Sequence, residues 1–145
     1  MLFRSFESTI KHIKNLINRN KIKRITLDID QTARSVNGHQ EGAKKGYSVK
    51  DKNSRLFQTV TWSIRETKTI LKQEFLSGDK HCANDFLNRL KPVIFELKKI
   101  GVDIRIVCDS GYADIEVFEY LESENVKFIF AIKQFDTVKI GRAHV

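Results

Sequence analysis

Two segments of the sequence alternate apolar and polar residues and then end in an aspartate. They are RITLDID at residues 24–30 and VDIRIVCD at residues 102–109. Alternation with a period of two predicts β-strands. A charge at the end of an apolar strand is rare unless it is paired, exposed at a rim or bound to a metal. If sheet pairing brings Asp30 and Asp109 side by side, we expect an oxygen-rich site for a hard cation such as Mg²⁺.

The other periodicities predict the elements around these two strands. In chain order they are a helix at 2–19, a polar loop at 31–55, a hairpin at 56–64 and 67–76, a helix at 82–100, a helix at 114–124 and a strand at 126–133. Pro92 is expected to kink or split the helix around it. Both faces of the last strand are apolar, which predicts a strand covered on both sides. This order predicts a mixed α/β sheet.

The charge of the chain favours a polyanionic partner. Lys and Arg number 26 against 18 Asp and Glu, which gives a net charge of +8 and a pI near 9.6. A cationic surface attracts nucleic acid because each phosphate contact releases a counterion, although a basic protein without such a partner has the same composition. No apolar run is long enough to span a membrane. No signal peptide is evident and the two cysteines form no CxxC pair, so we expect a cytoplasmic protein.

The run ITLDIDQT also fits the first motif of haloacid-dehalogenase-like phosphatases. In that reading Asp28 is the nucleophile, Asp30 the proton donor and Thr32 a positioning residue. The phosphatase fold requires a parallel sheet with a helix soon after the motif, whereas here a polar loop and a hairpin are predicted. It remains the alternative enzyme class, and a non-catalytic DNA-binding fragment is a further alternative.

Two longer stretches resemble a known family. LDIDQTARSVNGHQEGAKKGY (27–47) and VCDSGYADIEVFEYLESENVKFIFAIK (107–133) are similar to the catalytic domain of bacterial insertion-sequence transposases of the DDE type, and the resemblance covers about residues 24–134. It implies a ribonuclease H-like fold that hydrolyses DNA at transposon ends and joins the freed 3′-hydroxyl to target DNA with a two-metal Mg²⁺ site. It also implies that Asp30 and Asp109 are the first two metal ligands, with Asp28 a neighbour of the site.

The resemblance is incomplete at its end. The third ligand of the family is a glutamate on a helix after the last strand, but the only acidic residue after Lys133 is Asp136. We therefore expect a ribonuclease H-like domain truncated before its final helix and inactive alone. The expected divisions are a helical segment at 1–22, a partial catalytic domain at 23–139 and a non-native tail, IGRAHV, at 140–145.

Basic residues near the predicted carboxylate site are candidates for contact with DNA. Four of them follow Asp30 on the predicted loop and one ends the last strand: Arg34, His39, Lys44, Lys45 and Lys133. Lysine and arginine at such places pair with phosphates, although a solvated polar loop has the same composition. The resemblance implies transposon ends and target DNA as partners. It allows a homodimer of the complete enzyme, and the sequence does not determine the oligomeric state.

Overall fold

The structure is a computed structural model that describes residues 2–36, 41, 43–45, 55–79, 83 and 85–131. Several residues singled out above therefore lie outside the described residues: His39, Lys133, Asp136 and the tail at 140–145.

The strands of the described residues form one mixed sheet. They are β1 (Arg24–Val36), β2 (Lys44–Lys45), β3 (Arg55–Ile64), β4 (Thr69–Ser77), β5 (Asp103–Cys108) and β6 (Lys127–Phe130). The strand order is β2-β3-β1-β5-β6, and β4 also pairs with β3. β1 is antiparallel to β3 and parallel to β5, and β5 is parallel to β6. The predicted mixed α/β class is confirmed.

β1 extends beyond its predicted end. A polar loop was expected from residue 31, but residues 31–36 continue the strand and pair with the first half of β3, from Val60 back to Arg55. This part of the loop prediction is wrong. The side chains of 31–36 are exposed or half-buried, so they lack the apolar alternation that marks a strand. The backbone hydrogen bonds to β3 hold them in place instead.

The helices pack against one face of the sheet, and the buried side chains of both form a single hydrophobic cluster. They are α1 (Leu2–Arg19), α2 (Phe86–Lys98) and α3 (Ile115–Ser123). Their buried side chains join those of β1, β3 and β5, which include Ile29, Trp62 and Cys108. Ala83 and Asp85 are turn residues, so the helix predicted at 82–100 begins at Phe86. It ends at Lys98, and Pro92 lies inside one continuous helix. Pro92 therefore does not split the helix, and the kink stays a prediction. None of the helices described here has the length and apolar character needed to cross a membrane.

The opposite face of the sheet is open over much of the described part of the chain. Ile129 of β6 pairs with Val107 on this face and is 56% exposed, and Phe75 of β4 is 73% exposed. Phe128 and Phe130 are half-buried on the helix side. The prediction that the last strand is covered on both sides is therefore wrong for residues 127–130. This open face carries the candidate site.

Candidate metal centre

The register between β1 and β5 places Asp30 and Asp109 side by side. The last pair of these parallel strands is Ile29 with Cys108, and the residue that follows each of them is an aspartate. Ile29 and Cys108 are buried on the helix side. Because side chains alternate along a strand, Asp30 belongs to the open face, and the extended backbone of Asp109, the residue after β5, predicts the same face for its side chain. Adjacent strands are about 4.8 Å apart, and both aspartates are exposed.

A short turn fixes Asp109. The backbone N–H of Ser110 donates to Asp109 Oδ1 over 2.6 Å, and residues Ser110–Tyr112 form a single turn of 3₁₀-helix. Tyr112 is buried and packs on Phe86 with ring centroids 4.6 Å apart. Its hydroxyl lies 3.5 Å from Gln31 Oε1, a long hydrogen bond to the residue after Asp30. Tyr112 thus connects the Asp109 turn to β1.

The two carboxylates have the donor chemistry of a hard-cation site. Asp30 Oδ2 accepts a hydrogen bond from the Thr32 hydroxyl over 3.3 Å. No ion pair within the described residues neutralises either Asp30 or Asp109. Paired exposed carboxylate oxygens suit Mg²⁺ or Mn²⁺. No group of three or more His, Cys, Asp or Glu that could hold a metal occurs among the described residues.

Asp28 shares the open face with Asp30, but its carboxylate is already paired. Arg65, in the turn between β3 and β4, donates to it through Nη2 at 2.6 Å and Nε at 2.9 Å. The hydrogen bond with Asp28, followed by the attraction of its charge, raises the pKa of the Arg65 guanidinium. Sequence reasoning missed Arg65, because the two residues are 37 positions apart and the predicted hairpin alone does not state which strand it joins.

Asp28 and the fold around it do not favour the phosphatase alternative. A nucleophilic aspartate must approach phosphorus freely, whereas Arg65 binds both oxygens of Asp28. β1 pairs antiparallel with β3 and continues as a strand where that fold needs a helix.

The predicted DNA-contacting residues fall into three groups. Arg34 lies four residues beyond Asp30 on the same face of β1 and is exposed. Lys45 pairs with Arg55, which pairs with Val36, so Lys45 shares that face. Lys44 belongs to the other face, and its ammonium pairs with Asp79 at 3.1 Å. His39 and Lys133 are outside the described residues.

The mixed sheet with helices on one face is the fold of a ribonuclease H-like domain. A family model described as Transposase DDE domain group 1 matches residues 6–144, and the chain belongs to that family. No curated protein matches the sequence.

Solved structures of Mos1 transposase share this fold. The chain is similar to the Mos1 transposase paired-end complex with left transposon end (12% identity, TM-score 0.51, 85% of this chain and 40% of that chain). It is also similar to the catalytic domain of Mos1 mariner transposase (13% identity, TM-score 0.51, 86% and 57%). A third similar structure is the Mos1 catalytic domain and Raltegravir with Mg (14% identity, TM-score 0.50, 85% and 58%). The chain spans only about half the length of these proteins, and the similarity confirms the ribonuclease H-like fold.

Proposed function

We propose that this chain is the part of a DDE transposase that supplies the first two metal ligands, Asp30 and Asp109, for phosphodiester hydrolysis and strand transfer. The observation that supports it best is the register of β1 and β5, whose last pair, Ile29 with Cys108, directly precedes the two aspartates. Carboxylates on neighbouring parallel strands, on an open face and without cationic partners among the described residues, can share one ion.

The roles of the residues follow from their positions. A bound divalent ion, for which we propose Mg²⁺, supplies activation of a water or a 3′-hydroxyl and stabilises the leaving oxygen of a phosphodiester. Asp30 and Asp109 hold that ion. The Thr32 hydroxyl and the Ser110 N–H orient their carboxylates through hydrogen bonds of 3.3 and 2.6 Å. Tyr112 keeps the Asp109 turn against β1.

DNA is the proposed partner, in the form of transposon ends and target. Arg34, Lys45 and Arg55 lie on the face of Asp30, beyond it along the sheet. Cations next to a carboxylate site can hold phosphates in register while the carboxylates bind metal. Of the predicted contacts, His39 and Lys133 remain predictions. Lys44 is the weakest candidate, because it lies on the other face and its charge is paired with Asp79.

The remaining points rest on the sequence motifs. We propose that Asp30 and Asp109 by themselves hold the ion weakly, so that a chain supplying only these two ligands neither cleaves nor joins DNA. We also propose, from the sequence alone, that the source is a bacterial insertion sequence. On the same basis we propose that the protein is cytoplasmic and that the complete enzyme is a homodimer.

Mn²⁺ binding tests whether Asp30 and Asp109 form a metal site. It is measured as the decrease in the electron paramagnetic resonance signal of free Mn²⁺. We expect Asp30→Asn and Asp109→Asn each to weaken Mn²⁺ binding at least about tenfold, because each removes a charged oxygen ligand. Asp103→Asn is the matched control, since Asp103 is an exposed aspartate at the other end of β5. Equal Mn²⁺ affinity in all three variants and the wild type contradicts the proposed function.

A further inference from the structure

Arg65 is held on the open face of the sheet from two directions. Its backbone N–H donates to the Thr26 carbonyl over 3.0 Å. The next residue, Glu66, accepts from the Thr26 N–H and the Thr26 hydroxyl, both at 2.7 Å. The turn between β3 and β4 is therefore fastened to β1. A loop anchored in this way presents its side chain in a fixed place.

The side chain of Arg65 is fixed as well. Asp28 accepts from Nε and from Nη2, which engages two of the five guanidinium N–H donors. The remaining three N–H groups have no partner within the described residues, and the side chain is 58% exposed. Arginine that pairs with a carboxylate along one edge can still bind a phosphate oxygen with its other N–H groups.

The position of Arg65 relates it to the carboxylate pair. Asp28 precedes Asp30 by two residues on the same face, a separation of about 6.6 Å along the strand. We propose that Arg65 binds a DNA phosphate beside the Asp30–Asp109 pair, and that Asp28 positions it. The proposal rests on the proposed function, since it requires DNA at this face. In this proposal Asp28 is a positioning residue, because its carboxylate binds Arg65 and not the ion.

A charge-matched double variant tests this directly. Asp28→Asn with Arg65→Gln removes one negative and one positive charge, so the net charge and the general attraction of DNA are unchanged. The control, Arg24→Gln with Asp103→Asn, deletes another exposed ion pair, 3.7 Å long, which lies six residues or about 20 Å before Asp30 on β1. The probe is a fluorescein-labelled DNA duplex of 20 base pairs, and binding is followed by anisotropy at several salt concentrations.

We expect the Asp28/Arg65 variant to bind the duplex roughly threefold to tenfold more weakly, with a shallower dependence of affinity on salt, while the control binds as the wild type does. The Arg65→Lys variant keeps the charge but loses the planar guanidinium. We expect its affinity for the duplex to lie between those of the Asp28/Arg65 variant and the wild type. Melting temperatures without DNA show whether each variant is folded. If the double variant is unfolded, Arg65→Lys carries the test.

If the Asp28/Arg65 variant, or a folded Arg65→Lys variant, binds the duplex as tightly as the wild type does, the phosphate contact is overturned. The proposed function is not affected by that result. A wild-type chain that does not bind the duplex at all overturns both.

Discussion

Asp28 and Asp30 lie two residues apart on one strand, yet their neighbours give them different chemistry. Asp28 is bound through both oxygens by Arg65, and Asp30 has only the Thr32 hydroxyl among the described residues. A carboxylate in a two-point ion pair has a lone pair on each oxygen and much of its charge engaged by arginine, whereas one with a single weak hydrogen bond keeps nearly all of its charge for a metal. The sequence alone, D-x-D, allowed either residue to be the reactive one.

Gly78 is a second residue whose surroundings restrict which amino acid can occupy the position. It is buried after β4, and a Cβ there would collide with the carbonyl oxygens of Leu56 and Lys44. We expect Gly78→Ala to lower the free energy of unfolding by about 1–3 kcal/mol, since backbone cannot move aside as a side chain can. Urea unfolding measures it.

Gly101→Ala is the comparison for Gly78→Ala. Gly101 has φ of +82° and open space around its Cβ position, so its alanine variant reports backbone strain alone, about 1 kcal/mol. Amide hydrogen exchange at β2 should rise in Gly78→Ala and stay unchanged in Gly101→Ala. A Gly78→Ala protein with wild-type stability would contradict the close packing described here.

At the scale of elements, an ion cluster joins the β3–β4 hairpin to α2. The Glu74 carboxylate accepts from Trp62 Nε1 at 2.9 Å, Lys72 Nζ at 2.9 Å and Arg89 Nη1 at 2.8 Å. Lys72 also lies 4.3 Å from the centroid of the Trp62 ring. The cluster lies under the sheet on the helix side, where Trp62 is fully buried, so it holds α2 in place relative to the hairpin.

This cluster predicts a dependence of stability on pH. Burial alone would raise the pKa of Glu74, but the hydrogen bonds and charges of Lys72, Trp62 and Arg89 outweigh it and lower the pKa below the ordinary value of 4.5. A lowered pKa in the folded state means that Glu74 stabilises the fold fully above about pH 4.5. That contribution is lost as the pH falls through the folded-state pKa.

Glu74→Gln is therefore expected to destabilise the protein at pH 7 by about 1–3 kcal/mol, less than for a fully buried ion pair because water reaches the side chains. The difference from wild type should shrink below pH 4.5. Glu122→Gln, at an exposed position on α3, should match the wild type. Urea unfolding from pH 3 to pH 7 measures both, and a constant difference across that range would count against the account of Glu74.

The elements also show where sequence reasoning succeeds and where it fails. The helix at 2–19, the hairpin and α3 could be predicted, because each is determined by local periodicity and local hydrogen bonds. Residues 31–36 could not, since their strand depends on pairing with β3. The Asp28–Arg65 contact depends on the same long-range register.

At the scale of the whole molecule, one face of the sheet packs with helices and the other carries charge and exposed apolar groups. Ile70, Phe75 and Ile129 are more than half exposed, and Asp30 and Asp109 share their face. The sequence predicted both aspartates at strand ends, but Asp30 lies within β1. The parallel pairing of β1 and β5 brings the two positions to adjacent strands. The apolar pattern of β6 predicted a strand buried on both faces. A sequence pattern shows which side chains could be buried, but not whether another element packs over them.

The most direct test of the central claim is a crystal structure of this chain grown with Mn²⁺, with the ion located by its anomalous scattering. The account predicts a peak on the open face of the sheet, within about 2.2 Å of one carboxylate oxygen from each of Asp30 and Asp109. Asp28 should remain bound to Arg65. Aspartates that turn away from each other, or an ion bound elsewhere while these two stay free of metal, would contradict it.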